Sequence, residues 1–147
     1  MASPDRRRNA VAPEHSPPSA AERDFELLIE LTGAIVGAAE AFLAALEKRT
    51  DANQAWQLIR ELEHKGDAVA RDLFDGLMVP RPHAVQPEAL KALTGYLDDV
   101  LDAIEAAAAR LVIYRIRRII PAARELVSTA TRQVKIEAMR LVGDKIS

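Results

Sequence analysis

Two acidic couples, Glu63/Asp67 and Asp98/Asp102, are the residues of this chain whose type and spacing could do chemistry. Each is an i,i+4 pair inside an apolar pattern of helical period, so on a helix both carboxylates lie on one face, one turn apart. Like charges so placed repel, at a cost of about 0.2–0.5 kcal/mol per pair, unless a cation bridges them. On two antiparallel neighbouring helices the couples would meet. They would then offer four oxygen ligands to iron, manganese, magnesium or calcium. Asp99, Glu105 and Glu61 stand near in sequence as reserve donors. The competing expectation is ordinary solvated acid, because Asp and Glu supply 22 of the 147 residues and such couples also arise by chance.

Other chemistry is poorly supported. Glu61-Leu-Glu-His64 is a Glu-x-x-His element of the kind found in di-iron carboxylate bundles, which need two such elements and two further Glu residues. Neither His15 nor His83 has a Glu three residues before it, so that site is incomplete and His64 is expected as a polar neighbour or auxiliary ligand. The chain has no Cys, and with it no disulfide, thiolate site or Cys nucleophile. It also lacks G-x-S-x-G, a phosphate-binding glycine loop and H-E-x-x-H. An enzyme is therefore not expected, and neither is a nucleic-acid partner. Trp56 is expected as a core or interface anchor, and Tyr96 and Tyr114 at the edge of the core.

The elements that must position the acids are helices. Alanine is abundant and aromatic residues are only 4% of the chain, which disfavours a β-sandwich. Residues 1–20, rich in Pro, Arg, Ser and Ala with no apolar period, are expected to form a disordered leader. Its Arg6–Arg8 could touch phosphate or an acidic lipid surface. The first helix should start at Ser19, whose Ser-x-x-Glu22 pattern is a capping box. Its seam would be Phe25, Leu28, Thr32, Ile35, Ala39, Phe42 and Leu46, with Gly33 and Gly37 allowing close helix approach. The second should start at Thr50 or Asp51 and stop before Pro80, with Ala55, Ile59, Leu62, Gly66, Val69 and Leu73 inward. The third should open at Pro87 and run to about Arg118, with Leu90, Leu93, Leu97, Val100, Ile104 and Leu111 inward. Pro121 then interrupts, and a fourth helix is expected over about Ala122–Asp144. Nothing reads as a strand, so the expected fold is all-α, an antiparallel helical bundle. No unbroken apolar run reaches the roughly 20 residues a bilayer requires, and no secretory signal is visible.

The formal net charge of −2 hides an asymmetry. Residues 21–109 hold 17 acids against 8 bases, whereas residues 110–147 hold 9 bases against 3 acids. An acidic body with a basic C-terminal segment could pair with itself, with a second copy, or with an anionic partner.

Glu-Leu-Glu-His-Lys-Gly-Asp at Glu61–Asp67, followed by Leu-Asp-Asp-Val-Leu-Asp at Leu97–Asp102, resembles the PhoU-like proteins of the Pit-accessory group, also called domain of unknown function 47. The resemblance covers about Phe25–Leu126 and includes the opening Phe-x-x-Leu helix. It implies two three-helix bundles with E/D-x-x-x-D motifs that hold multinuclear iron or another metal, manganese and magnesium being the alternatives. By resemblance, Glu63 and Asp67 match the first motif and Asp98 and Asp102 the second. The implied function is a non-enzymatic cytoplasmic regulator of inorganic phosphate transport, in peripheral contact with a membrane phosphate transporter. On this reading residues 21–120 form one three-helix bundle, and residues 121–147 are the first helix of an incomplete second bundle. Three departures stand beside it: the chain ends at Ser147, the "tP-x-dReD" stretch is replaced by Val85-Gln-Pro-Glu-Ala-Leu90, and the leader is extra. An unpaired fourth helix would expose its apolar face, so the expectation extends to a homo-oligomer. The alternative is a metal-free helical interaction module, or a truncated and non-functional family member.

Overall fold

The computed structural model describes residues 17–83 and 85–146, the side chains of residues 144–146 excepted. Up to residue 16 the expected leader, with Arg6–Arg8, lies outside the described residues. Four helices form: α1 (Ala20–Leu46), α2 (Ala52–Leu77), α3 (Pro87–Ile113) and α4 (Pro121–Ile146). No strand occurs among the described residues. The chain is an all-α helical bundle.

Local chemistry writes the helix ends. Ser19 Oγ accepts from the Glu22 N–H at 3.2 Å while Glu22 Oε2 accepts from the Ser19 N–H at 2.6 Å, so the capping box is complete. Asp51 caps α2 by accepting from the Asn53 and Gln54 N–H groups. Pro87 occupies the first turn of α3, where its missing N–H costs nothing. α1 and α3 both end in a Schellman turn. Lys48 and Arg49 donate N–H bonds back to Ala45 and Ala44, and Arg115 and Ile116 donate to Val112 and Leu111. The left-handed position of each turn holds a basic residue, Lys48 (φ 57) and Arg115 (φ 49), beside the negative end of a helix dipole. α3 therefore stops at Ile113, five residues short of the Arg118 boundary expected from sequence.

Helix α1 is the hub. It packs against α2, α3 and α4, whereas α4 packs against α1 alone. Leu28, Ile35, Ala39 and Leu46 of the expected seam are buried, and so is a second stripe of Leu27, Leu31, Ala34 and Ala38. With neighbours on several sides, α1 is apolar enough and long enough to cross a membrane by composition and length, although Glu30 and Glu40 interrupt its apolar runs. A Cβ on Gly37 would lie 3.1 Å from Leu62 Cδ1, so this glycine does allow close approach, but Gly33 faces open space. On α2 the expected stripe is buried as drawn, except that Leu62 is partly buried.

On α3 the inward stripe is rotated from the expected one. Leu90, Thr94, Leu101 and Ala108 are buried, with Leu97 and Ile104 packed against the core. Leu93 and Val100 are exposed. Apolar residues occupy both candidate stripes, so period alone did not choose between them. Contact with α1 and α2 together selects the stripe carrying Thr94 and Ala108, whose small side chains let the helices close. Thr94 satisfies its hydroxyl within the helix by donating to the Leu90 carbonyl at 2.8 Å. Tyr96 and Tyr114, expected at the core edge, are exposed.

Candidate metal centre

Close packing of α2 on α3 builds the centre. A Cβ on Gly66 would collide with the Leu101 side chain and lie 3.3 Å from Leu31 Cδ1, so these two leucines seat directly on the α2 backbone where it crosses its neighbours. Gly66 lies between Glu63 and Asp67, and Leu101 lies next to Asp102. The same close approach thus brings the two acidic helix edges together. Trp56 fastens the pair further along, its Nε1 donating to Glu105 Oε1 at 2.8 Å.

Glu63, Asp67 and Asp102 each direct a carboxylate oxygen into one cluster, all within 4.8 Å of one another. Three of the four acids singled out by spacing therefore converge. Asp98 stands beside this triad and not within it. It is partly buried, and its Oδ1 is shielded from solvent with no hydrogen-bond partner. A buried carboxylate oxygen without a donor is costly, and a cation is one group that could compensate it.

The electrostatics follow from this crowding. Burial pushes the Glu63 carboxyl above its ordinary value, the neighbouring Asp67 adds to that, and His64 opposes it. Asp98 is raised by burial first, then by Asp102, Asp67 and Asp99. Asp102 is raised by burial, then by Asp67, Asp99 and Glu105. Lys65 and Arg60, close to the cluster in sequence, are engaged elsewhere. Lys65 reaches Glu30 at 3.3 Å, and Arg60 stacks over the Trp56 ring with 5.3 Å to its centroid. His64 Nδ1 lies 2.9 Å from Glu63 Oε2, a polar neighbour of a donor residue. Glu61 is exposed.

The donor set fits a hard or borderline divalent cation: carboxylate oxygens, no sulfur, and an accumulation of negative charge without a lysine or arginine in ion-pair contact among the described residues. Its chemical capacity is cation binding. No nucleophile with a supporting base stands in the cluster.

A second polar constellation was not foreseen. Asp24, buried in the first turns of α1, meets Arg81 Nη2 at 2.8 Å and His83 Nδ1 at 3.0 Å. This clasp ties the α2–α3 loop to the start of α1. Its only sequence signal was an acid on the apolar face of α1, with Leu27 and Leu28 one turn on, and two bases in a proline-rich loop, a weak pattern before the fold is known.

Comparison of the chain with protein-family models, with curated proteins and with solved structures finds no match.

Proposed function

We propose that this protein is a non-enzymatic, metal-binding helical regulator of inorganic phosphate transport in the cytoplasm, with Glu63, Asp67 and Asp102 as ligands and Asp98 as a fourth donor. The observation that carries the metal part is the convergence of three carboxylates from two helices within 4.8 Å, next to a solvent-shielded Asp98 oxygen that lacks a hydrogen bond. Iron is the metal proposed, with manganese and magnesium as alternatives, since all three accept carboxylate oxygen. The phosphate-transport part rests on the resemblance of Glu61–Asp67 and Leu97–Asp102 to the PhoU-like motifs. A membrane phosphate transporter is the partner that this reading requires.

The test is elemental analysis and calorimetric titration of the purified chain beside an Asp67→Asn/Asp102→Asn variant. Stoichiometric metal in the wild type, lost in the variant, supports the site. Absence of metal after reconstitution with iron, manganese and magnesium overturns it. A metal-free interaction module is the second reading, favoured by one specific observation: α4 leaves Leu126, Met139 and Val142 exposed.

A further inference from the structure

From the last turn of α3 into the first turn of α4 the chain runs Arg110-Leu-Val-Ile-Tyr-Arg115-Ile-Arg-Arg118-Ile-Ile-Pro-Ala-Ala-Arg124, a stretch with five arginines and no acid. The fold places it at one end of the bundle. Because α3 stops at Ile113, residues 114–120 form a non-helical connector that lies beside Leu46 at the end of α1. Lys48, from the turn after α1, lines the same shallow depression as Arg117, Arg118, Ile120 and Arg124. Arg115, Arg117, Arg118 and Arg124 are all exposed, and no acid forms an ion pair with any of them or with Arg110 or Lys48 among the described residues.

Interleaved with these bases are large apolar side chains turned to solvent: Ile113 65% exposed, Tyr114 71%, Ile120 68% and Ile116 44%. A helix or loop of a bundle hides such residues when it can, and here the tertiary packing leaves four of them on the same short segment as the arginines. Arginine with aliphatic and tyrosine side chains is the composition that enters the headgroup layer of a bilayer, where charge meets anionic lipid and the apolar groups reach the acyl boundary. A nucleic-acid surface would call for stacking aromatics, and this segment has one. The rest of the molecule orients the approach. Residues 21–109 carry 17 acids against 8 bases, so an anionic surface repels the body and attracts this end. From Asp102 to Ile113 the helix rises about 16 Å, roughly two Debye lengths at physiological salt, so the acidic centre does not cancel the arginine field.

We infer that the α3–α4 connector with the first turn of α4, Arg115–Arg124, together with Ile113, Tyr114 and Lys48, is a docking surface for an anionic lipid bilayer. The inference goes beyond the metal-binding reading and does not depend on it.

Flotation of the full chain with two vesicle preparations tests it, one of phosphatidylcholine and one of phosphatidylcholine with phosphatidylglycerol. Binding is expected only to the anionic vesicles and is expected to fall with added salt. Arg117→Gln/Arg118→Gln should lower partitioning by about 25-fold, about fivefold for each arginine near the surface. Ile116→Ser/Ile120→Ser should weaken it without altering its salt dependence. All variants keep Arg6–Arg8, so the leader is common to every comparison, and circular dichroism checks that each remains helical. An Asp67→Asn/Asp102→Asn variant should float like the wild type even if it has lost metal, which separates failure of this inference from failure of the metal site. The inference is overturned by wild type that stays unbound with anionic vesicles, or by equal flotation of the arginine variant. It is also overturned if a short single-stranded RNA, and not the vesicles, binds the wild type and is lost in that variant.

Discussion

At the scale of single residues, the acidic centre is a local cost that the metal-free chain carries. Glu63, Asp98 and Asp102 are held above their ordinary values, 4.5 for the glutamate and 3.8 for the aspartates, by burial and mutual repulsion. A raised carboxyl binds protons more tightly in the folded state than in the unfolded one. Stability from these groups is thus fully present below the ordinary values and is lost as pH rises through the raised ones. The urea midpoint of the metal-free protein should fall from about pH 4 towards neutrality, and the fall should shrink in Asp98→Asn. Saturating divalent metal should remove the trend, because the bound carboxylates are already deprotonated. The Asp24 clasp has the opposite character. Arg81 and His83 satisfy a carboxylate that is only 1% exposed. Asp24→Ala leaves both bases without it and should cost about 3 kcal/mol, with the larger part from the unpaired charge. Chemical denaturation measures the loss, and hydrogen exchange should quicken in the loop between α2 and α3.

At the scale of elements, the centre depends on one glycine. Gly66 costs α2 about 1 kcal/mol of helix propensity relative to alanine. In return it lets Leu101 and Leu31 seat against the helix backbone, which sets the separation of the two carboxylate edges. Gly66→Ala regains that propensity but overpacks the contact at a cost of about 1–3 kcal/mol, so a net loss of about 0–2 kcal/mol is expected on chemical denaturation. Calorimetric titration should also show weaker metal binding, although no ligand has been altered. A variant with lowered stability and unchanged metal affinity would show that the carboxylates adjust independently of helix spacing.

At the scale of the molecule, three helices share a core and the fourth leans on one of them. α4 meets α1 through the Lys135–Glu40 ion pair at 2.6 Å and through Val134, and it touches neither α2 nor α3. An exposed ion pair contributes about 0–1 kcal/mol, so α4 is held mainly by the burial of Thr131 and the partial burial of Val134. Native-state hydrogen exchange should show α4 opening at a lower free energy than α1, as a separate cooperative unit. Protection of α4 equal to that of α1 in the isolated chain would contradict this, whereas protection that rises with protein concentration would show a second copy covering the exposed face. The distribution of charge belongs to the same scale. Acids line the three-helix body and arginines collect where α3 hands over to α4, so the two ends of the molecule meet an anionic surface differently.

By itself the sequence determined what local physics can determine. Ser19 and Pro87 marked helix starts, Thr50 or Asp51 bracketed that of α2, and Pro121 marked the break before α4, because a cap or a proline acts on its own turn. The α2 stripe was legible because only one set of its residues is apolar at helical period. The acidic couples were legible because i,i+4 spacing fixes a shared face whatever surrounds it. Tertiary structure decided the rest. Which of two apolar stripes of α3 turns inward depended on α1 and α2 closing on it together, and the packing of α2 on α3 decided that Asp102 joins the Glu63/Asp67 cluster while Asp98 stands beside it. The Schellman turn at Arg115 ended α3 early where the apolar pattern continued, and so exposed the arginine connector. Asp24 could find Arg81 and His83 only after the chain had returned across 57 and 59 residues of sequence. Partners so distant in the chain leave no period to read, because only packing brings them within reach.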